Sequence, residues 1–224
     1  MRAAVILATL FSAITVHPPA SQPRDDWASK FDVDASELGP TGRSAFFILE
    51  PGHSAVYEAA RERLVITVLD ETKVVDGVTT RVVEERETKG EALVEVSRNY
   101  FAINSRTGDV FYFGESVDIY KNGKVVDHEG AWQSGENGAR FGLAMPGEPR
   151  LSQKYYQEVA PKIAMDRAAI VGLHAVVNTP AGAFSNCLKV EETTPLEPGA
   201  REYKYYARGV GLVQDGLLKL VKRP

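Results

Sequence analysis

The stretch Leu64–Phe101 reads LVITVLDETKVVDGVTTRVVEERETKGEALVEVSRNYF, and its punctuation decides the fold. Asp76-Gly77 lies between two β-rich runs, Leu64–Val75 and Val78–Glu87. An Asx-Gly pair in that setting is the strongest short-range hairpin signal, because the two-residue type I′ turn needs positive φ at both positions. Lys89-Gly90 turns the chain again into Ala92–Phe101. Alternation there places Ala92, Val94, Val96, Arg98 and Tyr100 on one face, and Leu93, Glu95, Ser97, Asn99 and Phe101 on the other. The reading is a three-stranded antiparallel meander.

The same grammar extends outward. Gly108-Asp109 opens the aromatic run Val110-Phe111-Tyr112-Phe113, and Asn122-Gly123 joins Ser116–Lys121 to Lys124–Glu129. Asp215-Gly216 closes a last hairpin between Val210–Gln214 and Leu217–Lys222. Further strand-like runs are Tyr155–Ala160, Arg167–Val177, Phe184–Glu192 and Arg201–Ala207. About a dozen strands at this spacing indicate an all-β domain. The chain lacks the long crossovers that parallel pairs need, so the sheet is expected to be antiparallel and mostly meandering. A sheet with that many strands curls, giving a barrel, half-barrel or sandwich. Ser54–Arg63 is the clearest helix candidate, with Val56, Ala59 and Ala60 on one side and Glu58, Arg61 and Glu62 elsewhere.

Upstream, Met1-Arg2 precedes an uncharged apolar run from Ala3 to Val16 that stops at His17-Pro18-Pro19. A basic start followed by a short apolar run has the form of a secretory signal, and the run is too short for a typical membrane-spanning helix of about 20 residues. Residues 1–20 are therefore read as a signal peptide, 21–45 as a polar arm or linker pinned by Trp27 and Phe31, and 46–224 as the β domain. Removing the signal takes Arg2 with it and moves the formal charge from −4 to −5. The expected location is periplasmic or extracellular. Cys187 is the only cysteine, so neither an internal disulfide nor a lipid-modified cysteine just after the signal is expected, nor any other stable membrane anchor.

Composition narrows the function classes. With 44% hydrophobic and 25% charged residues over 224 positions, the chain is an ordinary globular protein. The mild acidity argues against nucleic acid as a partner, which would need a concentrated basic surface. Asp32-x-Asp34-x-Ser36 fails as a calcium loop, since Glu37 replaces the required Gly and Arg43 stands where the bidentate Glu belongs. His17, His53, His128 and His174 lack metal-ligand spacing, and His128-Glu129 is only half of a zinc helix motif. No metal or cofactor is expected.

Gly52-His53-Ser54-Ala55 is not a nucleophile elbow. Cys187 has no run of cations nearby to activate it. Glu84-Glu85 and Glu191-Glu192 put neighbouring carboxylates on opposite strand faces, where adjacent members cannot share one substrate. The glycines between Gly130 and Gly147 lack phosphate-loop spacing. Outward rings of the aromatic clusters, together with Trp132 in a Gly-rich loop, are the best pointers to a binding surface, built from Trp132, Tyr112, His128, Tyr203 and Tyr205.

The order of motifs resembles a family of uncharacterised exported bacterial β-sheet proteins, the TapB-like group. The resemblance is carried by Phe46-Phe47-Ile48-Leu49-Glu50-Pro51-Gly52, with Ile48 where proline is common, by Gly108–Glu115, and by Tyr120–Trp132. Downstream it continues in Gly182-x-Phe184-x-Asn186-Cys187-Leu188-Lys189, Thr194–Gly199 and Glu202–Gly211. It implies an exported antiparallel β fold, a strand rather than a helix at Ser54–Arg63, and a lost partner cysteine near Thr80 that would have paired with Cys187. It brings no activity and no catalytic residues.

The function expected from these readings is a non-enzymatic envelope or extracellular binding module, its partner an apolar small molecule or an envelope protein. Two other classes compete with it. One is a hydrolase whose site is assembled from His128, Glu129, Glu115 and Asp118; the other is an assembly protein using an exposed sheet edge.

Overall fold

A computed structural model describes residues 26–222. The expected signal peptide lies outside the described residues. The chain is almost entirely antiparallel β, with no α-helix among the described residues, and one large sheet is nearly closed into a barrel.

Strands β1 (Leu38–Gly39), β2 (Gly42–Arg43) and β3 (Ile48–Leu49) lead into β4 (Ser54–Ala59), β5 (Glu62–Val75), β6 (Val78–Lys89) and β7 (Ala92–Asn104). Next come β8 (Val110–Lys121), β9 (Lys124–Asp127), β10 (Trp132–Gln133) and β11 (Arg140–Met145). The short β12 (Lys154–Tyr156) and β13 (Glu158–Val159) precede β14 (Arg167–Thr179) and β15 (Gly182–Thr193). The chain finishes through β16 (Glu202–Ala207), β17 (Gly211–Asp215) and β18 (Leu218–Lys222).

The expected hairpins form. Asp76-Gly77 and Asn122-Gly123 each have positive φ at both residues, the type I′ geometry that suits strand twist. The last turn sits one residue later than its sequence signal, because Asp215 stays in the ladder opposite Leu218 and Gly216 takes the positive φ. Ser54–Arg63 is not helical. Its buried run Ala55-Val56-Tyr57 lies in β4, which pairs with β5 on one side and β18 on the other, with Tyr57 opposite both Leu64 and Leu220. Pairing on both flanks overrides a weak helical period in a segment rich in β-formers.

Closure depends on the segment that the sequence presents as one strand, Tyr155–Ala160. It divides at Gln157. Tyr155 pairs with Ala168 on β14 at one end of the sheet, while Glu158 pairs with Phe141 on β11 at the other. Residues 154–159 thus bridge the two edges, Lys154–Tyr156 lying against Arg167–Ala169 and Glu158–Val159 against Arg140–Phe141. The start of the described chain reinforces this seam: the Ala28 N–H donates to the Lys154 carbonyl at 3.1 Å, and the Tyr156 N–H donates to the Ala28 carbonyl at 2.8 Å. Phe31 packs edge-on against Phe111, with centroids 5.8 Å apart. Buried Arg81 ties β6 to this N-terminal region through the Pro40 carbonyl and the Thr41 hydroxyl.

Two apolar clusters form most of the core. The main one includes the fully buried Leu49, Val110, Ile170 and Leu188, and the second contains Cys187, Val213 and Leu220. Each such side chain contributes roughly 1.5–3 kcal/mol by leaving water. Thr80 lies between Val78 and Val82 of the main cluster, so it and Cys187 belong to different parts of the core.

At the seam, a Cβ on Gly142 would overlap the backbone of Tyr156 and Gln157. Gly142→Ala is expected to lower stability by about 2 kcal/mol or more, through strain in packed backbone. Gly39→Ala in β1, where a Cβ meets nothing within 4 Å, is expected to leave the urea midpoint unchanged. Equal midpoints for the two variants would show that the seam yields.

Candidate functional site

The inner face of the sheet lines a cavity of about 310 Å³ that is partly open to solvent. Cross-strand register builds its wall: Ile66 faces Glu85, Asn99 faces Glu115, Phe101 faces Tyr112, and Lys204 faces Asp215. Strict alternation would not turn both Tyr112 and Glu115 inward. Between Asn99 and Phe101 the register slips, so that Tyr100 alone opposes both Phe113 and Gly114, and the extra residue is absorbed at Gly114. Gly114 has φ +141, and a Cβ there would press on the Trp132 carbonyl oxygen at 2.5 Å, which is why only glycine fits. A second slip, opposite Tyr205 and Tyr206, turns both Leu212 and Asp215 inward around Val213.

One side of the cavity is aromatic and aliphatic. Phe47 packs on Phe101 at 5.1 Å and Phe101 stacks on Tyr112 at 4.8 Å, with Ile48 and Val68 beside them. The other side is ionisable. The Lys204 ammonium lies 2.9 Å from Glu192 and 3.5 Å from Asp215, and Gln157 donates to Glu192 at 3.2 Å. Glu158, only 2% exposed, accepts from the Asp166 N–H at 2.6 Å. The Tyr112 hydroxyl donates to Asn99 Oδ1 at 2.6 Å, and Asn99 donates onward to Ser97 at 3.2 Å. Asp215 Oδ1 is buried without a hydrogen-bond partner.

Low polarity around these groups disfavours charge. Burial raises Glu85 to about 7 against the weaker opposing pull of Lys204, and burial raises Glu115 to about 7 although Tyr112 opposes it. Glu158 lies well above the usual carboxylate range, from burial first and the charge of Asp166 second. Burial also raises Asp166 and Asp215. It works against the charge of Lys204, but Glu192 and Asp215 outweigh it and hold the ammonium well above the ordinary lysine value. Burial holds His53, also on the wall, below its ordinary value.

The five residues expected to form one binding surface are dispersed. Tyr112 lines the cavity. Trp132, 5% exposed, is packed behind it, edge-on to Tyr112 at 5.2 Å and beside Ala139 and Ala160. His128 is on the exterior with its side chain 69% exposed, its Nδ1 2.7 Å from the Val117 carbonyl and 3.0 Å from Asp118. Tyr203 and Tyr205 flank Lys189 across the β15–β16 ladder, with the Lys189 ammonium 4.1 and 5.7 Å from their rings; Tyr205 also packs against the second apolar cluster, and neither lines the cavity. Nor do the four hydrolase candidates converge. His128 and Asp118 meet outside, Glu129 is exposed, and Glu115 points into the barrel. Burial pushes the Cys187 thiol up, consistent with an inert core residue.

The residues that sequence reasoning missed are Glu85, Glu158, Glu192, Lys204 and Asp215. Their signal was parity. Glu85 shares a strand face with Val83, and Glu192 with Leu188 and Val190, which are core positions. Each adjacent carboxylate pair does split across the sheet, but the inward members, Glu85 and Glu192, then meet in one cavity. Among the described residues, no three His, Cys, Asp or Glu side chains are placed to hold a metal ion together.

No family model and no curated protein matches the chain. Among solved structures, a protein from Parabacteroides distasonis ATCC 8503, provisionally described as a lipoprotein, is similar over 82% of this chain and 100% of that chain, at 14% identity and a TM-score of 0.40. That likeness is too distant to bear on the site. The resemblance to the TapB-like group rests on the quoted motifs alone.

Protonated Glu85 and Glu115 favour the folded state. Their contribution is complete below about pH 4.5 and is lost as pH rises through about 7. Stability is therefore expected to fall from pH 5 to 8, by up to about 3 kcal/mol per carboxyl. His53 acts in the opposite direction over part of that window, so the decisive measurement is the urea midpoint of Glu85→Gln against the parent. The variant should be the more stable protein at pH 8 and lose most of that advantage at pH 5; an equal midpoint at pH 8 would refute the assignment.

Proposed function

We propose that the protein is an exported, non-enzymatic binding module that holds a small molecule inside its barrel. The carrying observation is the cavity itself: about 310 Å³, lined by the aromatic rings of Phe47, Phe101 and Tyr112 and by polar groups that include Lys204. Small-molecule sites combine this size and this mixture of apolar surface with a few converging polar groups. The apolar segment at Ala3–Val16 supports export. A binding role is favoured over hydrolysis because the His128–Asp118 pair lies on the exterior, away from the enclosed space where a substrate would be held. The β9 edge, which pairs only with β8, is four residues long and carries Lys124 and Asp127, features that blunt it.

Titration of the purified protein with the neutral apolar fluorophore N-phenyl-1-naphthylamine should give a saturable rise in emission at one site per chain. Ala144→Phe, which projects a ring from the cavity wall, should weaken binding at least tenfold while leaving the far-ultraviolet circular dichroism unchanged. Absence of saturable binding, or binding indifferent to Ala144→Phe, would overturn the proposal.

A further inference from the structure

We infer that the cavity selects an organic cation, a protonated amine or amidinium attached to an apolar or aromatic body; this rests on the reading of the cavity as a binding site. Acidic and basic groups are unequal in number on its wall. Glu85, Glu115, Glu158, Asp166, Glu192 and Asp215 all line the space, and Lys204 is the one lysine or arginine among the lining residues. That ammonium is already engaged by Glu192 and Asp215.

Acceptors are left over. Glu85 makes no hydrogen bond among the described residues, and Glu158 uses one carboxyl oxygen on the Asp166 N–H while the other has no donor. Glu158 is buried to within 2% of completely, so water does not meet that need from the outer surface. The single Tyr112 hydroxyl hydrogen is already contested by Asn99 and Glu115. Above about pH 7, where Glu85 and Glu115 give up their protons, a molecule entering this space finds carboxylate oxygens in need of donors, and an unsatisfied acceptor is costly enough to decide between ligands.

The sign of the charge follows. An anion would face carboxylates with no free cation to receive it. A bare metal ion is disfavoured because no three candidate ligands converge on one point among the described residues. An ammonium or amidinium spreads several N–H donors over separated carboxylates and suits the geometry better. The Phe101–Tyr112 pair adds apolar surface that buries the hydrocarbon part of such a ligand.

The test compares three ligands of one skeleton by calorimetry at about pH 8: 2-phenylethylamine, which is cationic, 2-phenylethanol and phenylacetate. The amine is expected to bind at least tenfold tighter than the alcohol, and phenylacetate more weakly than either. Replacing both Glu85→Gln and Glu115→Gln should abolish the preference for the amine while N-phenyl-1-naphthylamine remains bound. Equal or tighter binding of the alcohol or phenylacetate, or no binding of any of the three while the naphthylamine binds, would overturn the cation assignment and leave the binding-module reading intact. A preference for the amine that survives in the double variant would also overturn it. Failure of all four ligands would remove both.

Discussion

A curved sheet has two outer strands whose N–H and C=O groups need partners, and six residues join the two where they approach. Lys154–Val159 lies along β14 with its first half and along β11 with its second. Without that double pairing the sheet would remain an open, exposed surface. The seam also delivers the interior chemistry. Gln157 at the point of division and Glu158 just beyond it both reach the cavity, and Glu158 is among the most buried ionisable groups in the protein. The backbone closes this tightly because Gly142 has no side chain to hold the strands apart.

Closure would trap carboxylates in a setting that opposes their charge, and the fold accommodates them in two ways. Lys204 neutralises its neighbours Glu192 and Asp215 at short range, and the remainder retain protons to an unusually high pH. Neither solution is what folding alone would select. Apolar side chains at the same positions would fill the space and avoid the penalty, and buried ionic groups are often replaced by hydrophobes without loss. Groups that weaken a fold while converging on a cavity have the distribution expected of a site with a task.

Much of the architecture was legible because its signals are local. Asp76-Gly77 and Asn122-Gly123 specify their turns through two residues each, and the alternation of Ala92–Phe101 predicted which face Asn99 and Phe101 share. The errors came where long-range pairing overruled a local pattern. Ser54–Arg63 has a weak helical period, yet β5 and β18 claim it from both sides. The candidate site was less legible still. Bulges at Gly114 and Val213 change the parity of the residues beyond them, so inward and outward side chains cannot be assigned by counting from the preceding turn. Trp132 was conspicuous because it is aromatic and sits beside glycines, but its burial reflects packing against Tyr112. The six carboxylates were inconspicuous because acidic residues on strands usually face water.

Cys187 gives the second cluster a property that its packing alone does not suggest. It is fully buried among side chains that include Leu64, Val213 and Leu220, and it is the only thiol in the chain. A thiol-specific reagent would therefore label a single position, and only when that end of the barrel loosens. The natural sequence thus contains its own clock for local opening, reading how often the interior admits a visitor without a label having to be introduced.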